Sequence, residues 1–144
     1  MNHSDKATES FKEGFNCSQA VLSAFAEELD LDKERALKIS TGFGGGIAKM
    51  SETCGAVTGA IMAIGLKYGK TVITDNAARD NTYNKINEFV EKFKEKNNTI
   101  VCKELLGCVL STPEGAKMAS EKNFHSTICP KFVADAAEIL ETIL

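Results

Sequence analysis

The sequence predicts an all-α fold, a single-domain helical bundle over residues 1–144. Apolar residues recur at helical spacing along nearly the whole chain, and good N-cap residues (Asn16, Asp32, Asp75) stand before such stretches. No run alternates with period two for long enough to make a convincing strand. Thr71 to Thr74 is the sole candidate, too short to build a sheet by itself. A chain of 144 residues with 43% hydrophobic composition can bury a core without disulfide staples.

From Ser4 to Glu13, Ala7, Phe11 and Phe15 form a helical stripe that breaks at Gly14. Asn16, with Gln19 three residues on, has the pattern of a capping box for a second helix carrying Val21, Leu22, Phe25 and Leu29. Asp32 caps a short third helix that turns Ala36, Leu37 and Ile39 inward and ends in the run Thr41-Gly-Phe-Gly-Gly-Gly46. Ser51 or Thr53 then caps a largely apolar helix from Cys54 to Gly69, and a helix apolar all round belongs in the centre of a bundle. Asp75 opens an amphipathic helix with Ala78, Ile86, Phe89, Val90 and Phe93 inward, ended by Asn97 and Asn98. A short helix runs from Val101 to Leu106 and stops at Gly107. Ser111 to Met118 forms a turn with one helical segment. Pro130 opens a last helix bearing Phe132, Val133, Ala136, Ala137, Ile139, Leu140 and Ile143.

Charge excludes some functions. Lys and Arg total 17 against 20 Asp and Glu, a net charge of −3 with both signs interspersed, so there is no clustered basic face for nucleic acid. Lys92, Lys94 and Lys96 alternate with Glu91 and Glu95 and read as a solvated helix face. The longest apolar stretch, Ala56 to Leu66, is far short of the roughly 20 residues a membrane span needs. The N-terminus lacks the layout of a secretory signal, and the expectation is a cytoplasmic protein without a membrane partner.

Five cysteines, at 17, 54, 102, 108 and 129, are an odd number, and a cytoplasmic setting disfavours a structural disulfide framework. None is paired as CxxC, which removes zinc-ribbon and thioredoxin motifs, and the lack of CxxCH removes covalent haem. On the predicted helices, Cys17, Cys54, Cys102 and Cys129 all fall at N-termini, where free amides and the helix dipole favour a thiolate. A thiolate both attacks disulfides and binds metal. The plainer alternative is that these are small buried apolar residues. Cys108 follows Gly107 in a turn and reads as a bystander. Gly44, Gly45 and Gly46 suit either an anion-binding nest of backbone amides or a flexible crossing. They are no phosphate loop, since the glycine-lysine-hydroxyl order and a preceding strand are missing. His125, four residues before Cys129, reads first as a packed or solvated side chain, and His3 as part of a frayed terminus.

The ordered set Gly-Phe-Asn-Cys17-Ser-Gln-Ala, Gly-Phe-Gly-Gly-Gly-Ile, Cys54-Gly-Ala-Val-Thr-Gly-Ala, Cys102-Lys-Glu-Leu-Leu-Gly and Cys129-Pro with Phe132-Val133 resembles the C_GCAxxG_C_C family of redox proteins over nearly the whole chain. The resemblance implies a cysteine-based redox role, with Cys17, Cys54, Cys102 and Cys129 as the signature cysteines. In the central element the first glycine and the cysteine are transposed relative to the family's name. Three readings follow. The four cysteines bind an iron–sulfur cluster or metal ion for electron transfer, with Gly44, Gly45 and Gly46 as a backbone wall against the cofactor. Or two of them cycle between dithiol and disulfide without metal. Or the chain is a non-catalytic helical binding or metal-handling module. No residue pattern specifies the redox partner, or whether the chain is a monomer or a homo-oligomer.

Overall fold

A computed structural model describes residues 1–144. The chain forms α1 (His3–Glu13), α2 (Cys17–Ala26), α3 (Lys33–Ser40), α4 (Gly55–Tyr68), α5 (Asn76–Asn97), α6 (Cys102–Leu106), α7 (Pro113–Glu121), α8 (Phe124–Thr127) and α9 (Cys129–Ile143), with 3-10 turns at Glu27–Leu29 and Thr41–Phe43. The fold is all-α. Thr71 to Thr74 forms no strand, and the only β pairing is an isolated antiparallel bridge between Thr53 and Val101. No helix is long and apolar enough to cross a membrane.

The bundle's centre is shared by α2 and α4. α4 packs on α2, α5 and α9, and α2 in turn contacts α1, α3 and α9. The approach of α2 to α4 depends on missing side chains. A Cβ on Gly59 would stand 2.7 Å from the Ser18 carbonyl oxygen, and one on Gly55 would stand 3.0 Å from the Ser18 amide nitrogen. At that distance the Ser18 side chain is wholly buried, and the Thr58 hydroxyl donates to it at 3.4 Å. Although α4 is apolar all round, α2 buries the larger share of itself, and Leu66 of α4 is 44% exposed. Phe11, Phe25, Phe89, Phe93, Leu22, Ile64 and Leu140 fill a single buried cluster, consistent with one folding unit.

Several local expectations are corrected. The first helix starts at His3, one residue before the expected Ser4, and Asn2 caps it by accepting the Asp5 amide at 2.8 Å. The terminus is tied down: the His3 ring stacks on Phe25 with centroids 4.1 Å apart, and its two nitrogens reach Glu141 at 2.9 Å and Glu28 at 2.5 Å. In α3 only Ala36 of the three expected residues is buried, while Ile39 points outward. Lys96 is more than a solvated charge, since it reaches Glu138 at 3.4 Å and helps fasten α5 to α9. The capping box at Asn16 forms as the sequence implies. Its side chain accepts the Gln19 amide at 2.9 Å, and Gln19 Oε1 accepts the Asn16 amide at 3.0 Å.

Candidate functional site

A cavity of about 560 Å³ opens where the starts of α2, α4, α6 and α9 meet the glycine-rich loop. Cys17, Cys54, Cys102 and Cys129 all line it, as do Gly44, Gly45, Gly46 and His125. Cys108 does not. Cys17, Cys102 and Cys129 are the first residues of α2, α6 and α9. Cys54 is the N-cap residue of α4, in place of the expected Ser51 or Thr53.

Local chemistry explains how residues so far apart in sequence converge. The Thr53–Val101 bridge sets two helix starts side by side: the Cys54 amide donates to the Ile100 carbonyl at 2.7 Å, and the Cys102 amide to the Glu52 carbonyl at 2.6 Å. From the other side, Asn16 Nδ2 donates to the Thr41 carbonyl at 2.9 Å and Gln19 Nε2 to the Leu37 carbonyl at 3.1 Å, which fastens the start of α2 to the end of α3 and the entry of the glycine loop. The loop then folds over the site. Gly45, Gly46, Ile47, Ala48 and Lys49 have consecutive positive φ angles, a left-handed turn that three non-glycine residues enter against their steric preference. Each such residue costs on the order of 1–2 kcal/mol. Strain of this kind persists where the surroundings hold it, commonly at functional sites. Here the Ala48, Lys49, Ser51 and Glu52 amides donate to the carbonyls of Gly42, Gly44, Gly45 and Gly46 at 2.9–3.0 Å.

The thiols are not equivalent. Burial pushes Cys54 up to about 12; the nearby amides of Ala56 and Val57 pull the other way without making a capping hydrogen bond to the sulfur. Burial likewise raises Cys102 to about 11, opposed by a hydrogen bond from Ser51. The Ser51 hydroxyl is held in turn by the Leu110 amide, which donates to it at 2.8 Å. Cys17 and Cys129 are both only partly buried, and each is the main influence on the other. Donation from the Cys17 thiol holds Cys129 below the ordinary thiol value and, reinforced by burial, raises Cys17 well above it. Helix starts were expected to favour the thiolate at all four cysteines. Desolvation outweighs that effect at Cys54 and Cys102, and only Cys129, which has a thiol donor beside it, is favoured as the anion.

The raised pair sets an alkaline limit on stability. An unfolded chain ionises Cys54 and Cys102 near 9.0, whereas the folded chain keeps their protons to about 12 and 11. The contribution is therefore whole below pH 9 and is lost as pH climbs toward 11 and 12. Thermal midpoints are expected to be level from pH 7 to 8.5 and to fall above 9, less steeply in Cys54→Ala. An equal slope in the variant would remove Cys54 as the cause.

His125 stacks on Phe11, with ring centroids 4.0 Å apart, on the cavity lining. No three His, Cys, Asp or Glu side chains converge tightly enough to hold one metal ion as they stand. The sequence reading did not single out Lys49, Asn16 or Phe124 as part of a site, although all three line the cavity. Asn16 carried a local cue in its capping pattern, and Lys49 in its place after the glycine run, which fails as a phosphate loop.

A scan against protein-family models matches residues 15–143 to the family described as "Putative redox-active protein (C_GCAxxG_C_C)". The chain belongs to this family. Comparison with curated proteins and with solved structures found no match. The C_GCAxxG_C_C signature puts its second cysteine between a glycine and an alanine. Aligned on Ala56 and Gly59, that cysteine falls at Gly55 and the signature glycine at Cys54. A Cβ at Gly55 would stand 3.1 Å from the Cys17 Cβ, and both positions line the cavity. The transposition therefore keeps a thiol on this wall but moves it from the first turn of α4 to the cap.

Proposed function

We propose that the protein is a thiol–disulfide redox protein in which Cys129 is the attacking thiolate and Cys17 the resolving thiol. The observation that carries the reading is that Cys17 and Cys129, the two partly exposed thiols of the four, stand at the starts of α2 and α9 on the wall of one open cavity. Membership of a redox-active family supports it. In the reaction the Cys129 thiolate attacks one sulfur of a substrate disulfide and expels the other as a thiolate. Cys17 then loses its proton and attacks Cys129 Sγ, releasing the second substrate thiol and leaving a Cys17–Cys129 disulfide. Reduction by a partner returns the dithiol, a cycle suited to the cytoplasm. Cys54 and Cys102, buried and protonated at neutral pH, sit beside the pair without sharing its reactivity.

A second reading has the four cysteines hold an iron–sulfur cluster or metal ion for electron transfer. Their common cavity favours it, because ligands from four separate segments suit such a centre. It requires the sulfurs to draw together, since no three donors converge as they stand. One experiment separates the two. Protein purified without oxygen is analysed for metal and visible absorption, offered iron and sulfide, then oxidised with a small disulfide and mapped by peptide mass spectrometry. The dithiol reading expects colourless protein and one reversible Cys17–Cys129 bond, lost in Cys17→Ser and Cys129→Ser and kept in Cys108→Ser. Bound iron with charge-transfer absorption, lost in Cys54→Ser and Cys102→Ser as well, would reverse the order of the readings.

A further inference from the structure

The cavity lining carries a charge pattern that the disulfide chemistry does not require. Acidic residues outnumber basic ones in the chain, 20 to 17, yet no Asp or Glu lines this cavity. Its ionisable groups other than thiols are Lys49 and His125. Lys49 makes no ion pair with any carboxylate of the protein, so its charge is free for a ligand. Its backbone is fixed: it closes the left-handed turn, its amide donates to the Gly44 carbonyl at 3.0 Å, and a Cβ on Gly45 would stand 2.9 Å from the Lys49 Cα. The amides of Gly45 and Gly46, on the same lining, donate to no protein acceptor. Phe11, Leu105, Leu106, Phe124 and Phe132 supply apolar wall. An exposed cation on a strained, rigid loop that lines a space without carboxylates, on the same lining as the two thiols of the exchange, is the layout of an anion seat beside a reacting bond.

Resting on the dithiol reading of Cys17 and Cys129, we propose that the substrate is a small organic disulfide bearing an anionic group, and that Lys49 seats that group. The seat has a chemical purpose. An anionic disulfide is repelled by the attacking Cys129 thiolate, and a neighbouring lysine offsets that repulsion as the two sulfurs approach. The electron flow is that of the exchange above. The Cys129 sulfur forms a bond to one substrate sulfur, the substrate S–S bond breaks, and the electron pair leaves on the far sulfur, which takes the proton given up by Cys17. Cys17 then bonds to Cys129 Sγ, and the second substrate half departs as a thiolate that takes a proton from water. One disulfide is reduced to two thiols, and one dithiol is oxidised.

The test uses two probes of nearly the same shape, dithiodipropionate and its uncharged diamide. Each oxidises the reduced full-length protein, and its rate is divided by that for free mercaptoethanol, which removes the probes' intrinsic difference in reactivity. The normalised rate should favour the dicarboxylate about tenfold, the scale of one well-placed ion pair. The preference should vanish in Lys49→Gln, survive in Lys49→Arg, and shrink as added salt screens the charge. Peptide mapping of the Cys17–Cys129 bond accompanies every rate. Equal normalised rates for the two probes in the native protein, or an undiminished preference in Lys49→Gln, would overturn the anion seat while the mapped bond left the dithiol reading standing. If neither probe forms the Cys17–Cys129 bond, the dithiol reading itself falls and the seat with it.

Discussion

At pH 7 a limiting dose of iodoacetamide is expected to modify Cys129 first and to leave Cys54 and Cys102 untouched. The reacting species is the thiolate, so the ranking follows ionisation as well as access. A thiol at the ordinary 9.0 is ionised to about 1 part in 100 at pH 7, while Cys54 at about 12 is ionised to about 1 part in 100,000. Cys129 lies on the favourable side of the ordinary thiol, so its thiolate population exceeds that of Cys54 by more than about a thousandfold. Cys102, at about 11, falls behind it by more than about a hundredfold. Because the Cys17 hydrogen bond is the main cause at Cys129, Cys17→Ala should move the inflection of the alkylation rate up toward the ordinary thiol range. Cys17→Ser, which keeps a donor, should move it less. Time-resolved peptide mass spectrometry across pH 6 to 10 reads each site separately. Equal early labelling of Cys54 and Cys129, or an unmoved inflection in Cys17→Ala, would show that the contact with Cys17 does not set the reactivity.

That ranking is also where reading by sequence alone stops short. The placement of Cys17 at a helix start follows from a local rule, because Asn16 is a strong cap, while that of Cys54, Cys102 and Cys129 follows from the apolar runs after them and from Pro130, since their helices start without a side-chain cap. The thiolate argument built on that placement counted the dipole and the amides. It could not count desolvation, which depends on how closely α4 and α6 are covered by chain from elsewhere. α8 escaped because Phe124–Thr127 is too short to show a period. The left-handed turn escaped for a different reason. Gly45 and Gly46 announce positive φ, but Ile47 is β-branched and favours extended backbone, and nothing local says that Ala48 and Lys49 follow it into that region. Backbone bonds to the Gly42, Phe43, Gly44 and Gly45 carbonyls, with the ladder through Glu52 to Cys102, hold it there.

Gly46→Ala is expected to be among the most damaging single-methyl changes in the chain. Gly46 has φ +72°, and a Cβ there would stand 2.7 Å from the Glu52 amide nitrogen, 2.8 Å from the Ser51 carbonyl carbon and 2.8 Å from the Cys102 Cβ. Two of these three atoms are backbone, so no rotamer change relieves the clash. The segment that must move is the one that positions the site, because the Glu52 amide bonds Gly46 and the Glu52 carbonyl accepts the Cys102 amide. A left-handed alanine costs about 1–2 kcal/mol, and overpacking adds about 1–3 kcal/mol, for a loss of roughly 2–5 kcal/mol in chemical denaturation. Two further glycines divide this sum into its parts. Gly107, at φ +73° with nothing within 4 Å of its added Cβ, should cost only the left-handed term on changing to alanine. Gly65, inside α4 with open space around it, should become more stable by about 0.5–1 kcal/mol as alanine gains helix propensity. In Gly46→Ala, Cys102 should also become open to thiol reagents that fail to reach it in the native protein. Should Gly46→Ala cost no more than Gly107→Ala and leave Cys102 protected, the glycine loop would not be the close-fitting wall on which the reactivity of the four thiols depends.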